Sequence, residues 1–206
     1  MKKSLFKDAL TLFLITLVAG VLLGATYVIT KEPIEAAEEK TKAESYASVL
    51  PEATTFTDSF EDELARADEI LAASEHVEDT TIDGCLTATD DDGNVVGYVV
   101  LSTCSASYGG DISIVTGFDT EGIVTGVEVL EINDTAGLGM KAKEDDFKDQ
   151  YVGKNTDYYT VTKTGASSED EIDAITSATI TSKAFTNAEN GAKAFILECL
   201  KGEGGI

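Results

Sequence analysis

An uncharged run near the start of the chain limits its fold more than any other feature. From Ala9 to Thr30 the sequence ALTLFLITLVAGVLLGATYVIT holds 22 residues without a charge. At about 1.5 Å rise per residue, a helix of that length crosses a hydrocarbon core of about 30 Å. Lys2, Lys3 and Lys7 precede the run, whereas Lys31 is followed at once by Glu32, Glu35, Glu38 and Glu39. The positive-inside rule therefore sets the N-terminus in the cytoplasm and the rest of the chain outside. A cleaved signal peptide shares the basic start, but its apolar region normally runs about 7–15 residues and ends at a small-residue site. This run is longer and no clear A-x-A follows it, so an uncleaved anchor is the reading adopted. Gly20 and Gly24 form a small-xxx-small pair that can pack on another membrane helix, although glycines are common in such spans.

Charge and cysteine usage exclude several functions. Lys and Arg number 15 against 38 Asp and Glu, a formal charge of -23, which argues against binding nucleic acid through its phosphates. One histidine, His76, and three cysteines, Cys85, Cys104 and Cys199, with no Cys-x-x-Cys pair, exclude the usual zinc site and the iron–sulfur clusters. No metal site is expected, and any redox chemistry needs another source. Cys85 and Cys104 lie on the outer, oxidising side, where a disulfide between them is one possibility.

Beyond the span, Ile34, Ala37, Tyr46, Val49 and Leu50 share a helical stripe that Pro51 ends, and Leu64, Ala67, Ile70 and Leu71 suggest a second short helix. From residue 82 the period changes. The runs CLTAT, VVGYVVLST, ISIVTGFD and VTGVEVLEI, divided by turn residues at 91–94 and 120–122, read as strands joined by hairpins. A glycine-containing loop, a short helix near Lys143 to Tyr151 and a strand at Tyr158 to Lys163 follow. Ala184, Phe185, Ala188, Ala192, Phe195, Ile196 and Cys199 then mark an amphipathic helix over Thr181 to Leu200. The expected organisation is a cytoplasmic N-terminus (1–8), a transmembrane helix (9–30), a helical spacer (31–81) and an outer domain (82–206). That domain is expected to be α+β, a mainly antiparallel sheet covered by helices.

The segment most informative about chemistry is Asp173-Ala174-Ile175-Thr176-Ser177-Ala178-Thr179-Ile180-Thr181, directly before the last helix. Two readings use the same physics. The hydroxyls of Thr176, Ser177, Thr179 or Thr181 can cap first-turn N–H groups. Alternatively, the N–H groups and the positive end of the helix dipole can hold a phosphate, to which a threonine hydroxyl there can itself be bonded.

On these residues the chain resembles a known family. DxxTSAT is similar to the D-x-x-[S/T]-G-A-T motif of the FMN-binding domain found in the G component of Rnf electron-transport complexes and in the C component of sodium-translocating NADH:quinone reductases. The resemblance implies FMN attached covalently, through a phosphoester on Thr179, by a separate flavin transferase that uses FAD and magnesium. Asp173 would serve transferase recognition, with Thr176, Ser177 and Ala178 completing the motif; Ser177 stands where glycine is usual. Tyr108-Gly109-Gly110 is similar to the family's entry to a strand. Thr135-Ala136-Gly137-Leu138-Gly139 resembles its T-P-G-L-G loop, with Ala136 replacing proline. Tyr108, Gly109, Thr135, Gly137, Leu138 and Gly139 are thus implied at the cofactor, the glycines admitting a flat ring to the backbone; an ordinary two-glycine loop is the alternative.

By this resemblance, the chain is expected to be a single-span electron-transfer flavoprotein and a redox subunit of an ion-translocating ferredoxin:NAD oxidoreductase, with no catalytic residues of its own. Its implied partners are the other Rnf subunits and the flavin transferase. The short length favours the Rnf-type component over the longer quinone-reductase one. A free-standing surface flavoprotein and a non-redox tethered domain are the alternatives.

Overall fold

The computed structural model describes residues 2–203, with side chains over 7–202; the side chains of Lys2 and Lys3, whose charges enter the orientation argument, and residues 204–206 lie outside those described. Two compact units are distinguished, 1–42 and 43–206.

The first unit is helical throughout its described length. It belongs to α1, Lys2–Val49, a helix that runs without a break through the apolar stretch and beyond it. The span and the helix expected after it are therefore one element. From Leu10 to Ile29 its large apolar side chains are exposed, as a helix requires if lipid is to cover it. Thr11, Thr16 and Thr26 turn their hydroxyls back to the carbonyls of Lys7, Leu12 and Leu22, so these polar groups are satisfied without water. Pro33 lies inside the helix and removes the donor to Ile29. That defect falls just past the apolar run, where water can take its place.

The second unit is built on a five-stranded antiparallel meander in the order β1-β2-β3-β4-β5. The strands are β1 (Thr55–Asp58), β2 (Thr80–Thr89), β3 (Val95–Ser107), β4 (Gly110–Phe118) and β5 (Val124–Ile132). Two short helices, α2 (Glu61–Leu64) and α3 (Ala67–Ala72), separate β1 from β2. The expected spacer is therefore not wholly helical, and the sheet begins well before residue 82. Thr55 to Asp58 pair with Thr89 to Leu86 at the sheet edge, a contact made by four residues too short to show a period.

Alternation along the central strands assigns the two faces. Tyr98, Val100 and Cys104 of β3, with Ile112, Ile114 and Phe118 of β4, bury into the main core. Val99 and Val115 point the other way, against Val49 and Leu50. The C-terminal carbonyl of α1, that of Val49, accepts the Thr125 hydroxyl at 2.7 Å.

The main core is closed by the last helix, α5, Thr179–Glu203. The whole expected stripe is buried to 1% exposure or less, and each such Phe or Ile contributes about 1.5–3 kcal/mol. Polar residues bury beside it. Asn190 accepts the Tyr159 N–H and donates to the carbonyls of Tyr159 and His76. Glu189 accepts the Thr116 hydroxyl at 2.7 Å through one oxygen, while its other oxygen, Oε1, has no partner. Burial pushes the Glu189 carboxyl up to about 7 and lowers Lys193, whose Nζ donates to the Gly122 carbonyl at 2.6 Å.

Between β5 and α5 lie a 3-10 turn (Gly139–Lys143), α4 (Asp145–Lys148), and a parallel pair of three-residue strands, β6 (Thr160–Thr162) and β7 (Glu171–Asp173). Cys85 and Cys104 both lie in the core but in different registers: Cys85 faces Val100 and Cys104 faces Thr80. No disulfide joins them. His76 is exposed and stacks on Tyr158 with ring centroids 3.7 Å apart.

Candidate functional site

A cleft of about 420 Å³ opens where the start of α5 meets the β3–β4 turn and the loop after β5; Tyr108, Asp134, Thr135, Leu138, Gly139 and residues 177–181 line it. Its size lies within the roughly 300–1,000 Å³ usual for ligand sites.

Three segments distant in sequence meet here, each for a local reason. Tyr108 and Gly109 form the tight turn between β3 and β4. A Cβ on Gly109 would overlap the Asn133 carbonyl, so glycine lets this turn rest on the end of β5. The loop after β5 carries Asp134, whose carboxylate accepts the Thr135 N–H at 2.6 Å and the Thr181 hydroxyl at 2.5 Å. A Cβ on Gly139 would collide with that same carboxylate.

The third segment is the turn into α5. The Ala178 carbonyl accepts from both the N–H and the hydroxyl of Ser182, and that hydroxyl accepts the Ile175 N–H. The turn over 175–178 is thereby tied to the helix it precedes. Ser177 holds φ at 67°, a left-handed conformation that is easy for glycine and strained for residues with a Cβ. This gives a physical reason why glycine suits that position.

The capping reading does not hold. None of the hydroxyls of Thr176, Ser177, Thr179 and Thr181 accepts a first-turn N–H, and among the described residues nothing pairs with the N–H groups of Thr179, Ile180 and Thr181. Three unpaired donors thus stand at the positive end of a 25-residue helix, an arrangement suited to an oxyanion. Thr179, its first residue, is half-buried in the cleft. Thr181 is different, being 1% exposed and bonded to Asp134. Around the opening, Tyr108, Leu138 and Ile180 are 70%, 41% and 54% exposed, an apolar rim beside a polar end.

Of the residues singled out in the sequence, Tyr108, Thr135, Leu138, Gly139, Ser177, Ala178 and Thr179 line this cleft together. Four other residues stand apart. Gly109 supports the turn, and Gly137 takes a φ of 77° outside the lining. Thr176 and Asp173 line a neighbouring cleft with Lys141 and Gln150. The Asp173 carboxylate accepts the Ala166 N–H at 2.8 Å. Its backbone N–H donates to Gln150 Oε1 at 2.7 Å, and its carbonyl accepts Gln150 Nε2 at 3.3 Å. Asp134 and Ile180 line the cleft as well, and the hydroxyl of Thr181, a capping candidate in the sequence, bonds Asp134 instead.

An apolar rim joined to a helix start with unpaired N–H groups is an arrangement suited to a cofactor, and relatives of the chain give its class. The FMN-binding domain family matches residues 107–193, a stretch that contains every residue lining the cleft, and the RnfG N-terminal region matches residues 1–49. The G component of the Na(+)-translocating ferredoxin:NAD(+) oxidoreductase complex of Acetobacterium woodii is 34% identical over 91% of this chain and 89% of its own. The G component of the ion-translocating oxidoreductase complex of Methanosarcina acetivorans is 28% identical over 94% and 95%. The chain belongs to the RnfG family, the G components of Rnf-type ion-translocating oxidoreductase complexes. Among solved structures, the C component of the Na(+)-translocating NADH-quinone reductase from Parabacteroides distasonis is similar at 22% identity, covering 57% of this chain and 62% of that one with a TM-score of 0.49. NqrC of Shewanella oneidensis gives 17%, 58%, 61% and 0.47.

The residues present suit an FMN. The apolar rim can take the faces of a flat ring, and the three unpaired N–H groups can take the phosphate end.

Proposed function

We propose that this chain is a single-span electron-transfer subunit of an ion-translocating oxidoreductase complex, and that its outer domain carries one FMN in phosphoester linkage to Thr179. The observation that carries the reading is the position of Thr179, accessible in the cleft at the first residue of α5 and beside unpaired N–H groups. Bound there, FMN would supply one- and two-electron exchange.

The chain's own part is to bind and orient. Tyr108, Leu138 and Ile180 offer the ring an apolar seat, and Thr135 and Gly139 give the loop beneath it. Thr179 supplies the oxygen for attachment. A flavin transferase would join that oxygen to the FMN phosphorus of FAD, break the pyrophosphate bond so that AMP leaves, and take up the hydroxyl proton. Attachment suits a domain outside the cytoplasm, where a dissociated cofactor would be lost by dilution. In this reading residues 1–8 are cytoplasmic, 9–30 span the membrane, and the other subunits lie alongside as partners. The tether replaces a diffusive encounter with a local one.

The intact mass of the protein purified from membranes, coexpressed with a flavin transferase, tests this directly. Wild type should carry the added mass of one FMN phosphoester, and Thr179→Ala should carry none while retaining its fold. An unmodified wild-type mass, or a modified Thr179→Ala, would reject the assignment.

A further inference from the structure

The cleft's phosphate end holds a contradiction in charge. Three unpaired N–H groups make the start of α5 attractive to an anion, with a helix end equivalent to about half a positive charge. Yet the Asp134 carboxylate is already there, held by the Thr181 hydroxyl at 2.5 Å and the Thr135 N–H at 2.6 Å. Gly139 closes against it. No Lys or Arg is among the described residues lining the cleft. The nearest cations in the sequence serve other surfaces: Lys141 lines the cleft of Asp173, and Lys183 the groove of His76. One full negative charge thus outweighs about half a positive one.

A free flavin phosphate and a bonded one differ in charge. A phosphomonoester carries about −1.5 to −2 at pH 7, its second pKa being about 6. Esterified to a threonine, the same phosphorus keeps a single ionised oxygen. Unpaired N–H groups beside a carboxylate can tolerate the single charge far better than the double one.

We propose that Asp134 is a specificity residue that makes this cleft a site for a phosphodiester and rejects the phosphomonoester of free FMN. The proposal rests on the flavin reading and deepens it. Its consequence for the chain is that dissolved FMN does not occupy the cleft, so Thr179 stays open to the modifying enzyme.

The test uses the full-length protein in detergent, in the Thr179→Ala background, titrated with FMN and with riboflavin, which has the ring and no phosphate. Changes in flavin fluorescence report binding. Asp134→Asn, which keeps an acceptor for Thr181, should tighten FMN binding by about tenfold at pH 8 and leave riboflavin unchanged. At pH 5.5 the gain should shrink, because the monoester takes up its second proton near pH 6. Asp134→Ser serves as a second neutral variant should the first not fold. In parallel, free FMN should inhibit transferase labelling of the Asp134→Asn chain with Thr179 intact, and should not inhibit labelling of wild type. Equal FMN affinities with and without Asp134, or equal gains for FMN and riboflavin, overturn the proposal. So does labelling that free FMN inhibits equally in both chains. Failure of the flavin reading looks different: no label forms on any chain, and no variant binds either flavin.

Discussion

Gln150 holds Asp173 by both of its backbone groups. Its side-chain oxygen accepts the Asp173 N–H at 2.7 Å, and its side-chain nitrogen donates to the Asp173 carbonyl at 3.3 Å. A single amide side chain thereby acts as a further strand beside β7, whose other edge pairs with β6. What it steadies is the start of the segment that leads to Thr179. Gln150→Ala should destabilise the domain by about 1 kcal/mol, and hydrogen exchange at the Asp173 amide should accelerate more than at Ile172. Unchanged exchange at Asp173 would show that the pairing has no hold on the segment.

Ser177 offers a gain. A residue with a Cβ in the left-handed region costs about 1–2 kcal/mol, and the extra chain entropy of glycine returns about 0.5–1 kcal/mol of that advantage. Ser177→Gly should therefore raise stability by about 0.5 kcal/mol and accept flavin at least as fast as wild type. Ser177→Val should lower stability by more than 1 kcal/mol. Urea unfolding of the three proteins provides the comparison; a less stable Ser177→Gly would mean that the serine hydroxyl contributes something its geometry does not reveal.

Glu189 predicts a pH dependence with a definite sign. Its carboxyl is pushed up to about 7 by burial, ahead of opposing effects from the Thr116 hydrogen bond and the Lys193 charge. The fold thus prefers the protonated form. Between the ordinary carboxyl value of 4.5 and about 7, the folded state holds a proton the unfolded state lacks, so stability falls as pH rises through that window. The loss from this one group is about 3 kcal/mol. Glu189→Gln should match wild type near pH 5 and exceed it near pH 8. Parallel stability profiles for the two proteins would remove Glu189 as the cause.

Topology can be read from the chain's far end. A reporter active only in the cytoplasm, fused after Ile206, should be silent, and one active only outside should work. Reversal of Lys2, Lys3 and Lys7 to acidic residues should weaken that bias. Cytoplasmic activity of the unaltered fusion would invert the proposed orientation.

The parts of this molecule that sequence made legible are those with a period or a strong break. Four strands of the meander were readable because β-branched runs such as VVGYVVLST alternate across two buried faces and stop at Asp91-Asp92-Gly93 or Glu121-Gly122. The stripe of α5 was readable because seven apolar residues repeat at helical spacing. By contrast, β1 and β7 are four and three residues long, shorter than any period that could announce them. The burial of Glu189 and Lys193 has no local signal, because their partners, Thr116 and Gly122, lie more than 70 residues away. At the cleft, the order of the motifs located Tyr108, Thr135 and Thr179. The contact between Asp134 and Thr181 stayed hidden because it spans 47 positions, and no local pattern encodes which acid an approaching helix will meet.

The meander also sets an order of events. Each of its strands pairs with a neighbour in sequence, and β2 to β5 are joined by short turns, so that part of the sheet can close locally. The docking of α5 depends on distant groups: Ser102 donates to the Ala188 carbonyl across 86 positions, and Thr116 to Glu189 across 73. Contacts of that separation form late, since chain entropy is lost before they can compensate for it. The cleft exists only where the start of α5 has settled against the two loops of the sheet. A modifying enzyme that reads this assembled surface would find its threonine correctly framed only after the last long-range step, and a flavin attached to Thr179, as proposed, would then mark a chain whose folding is finished.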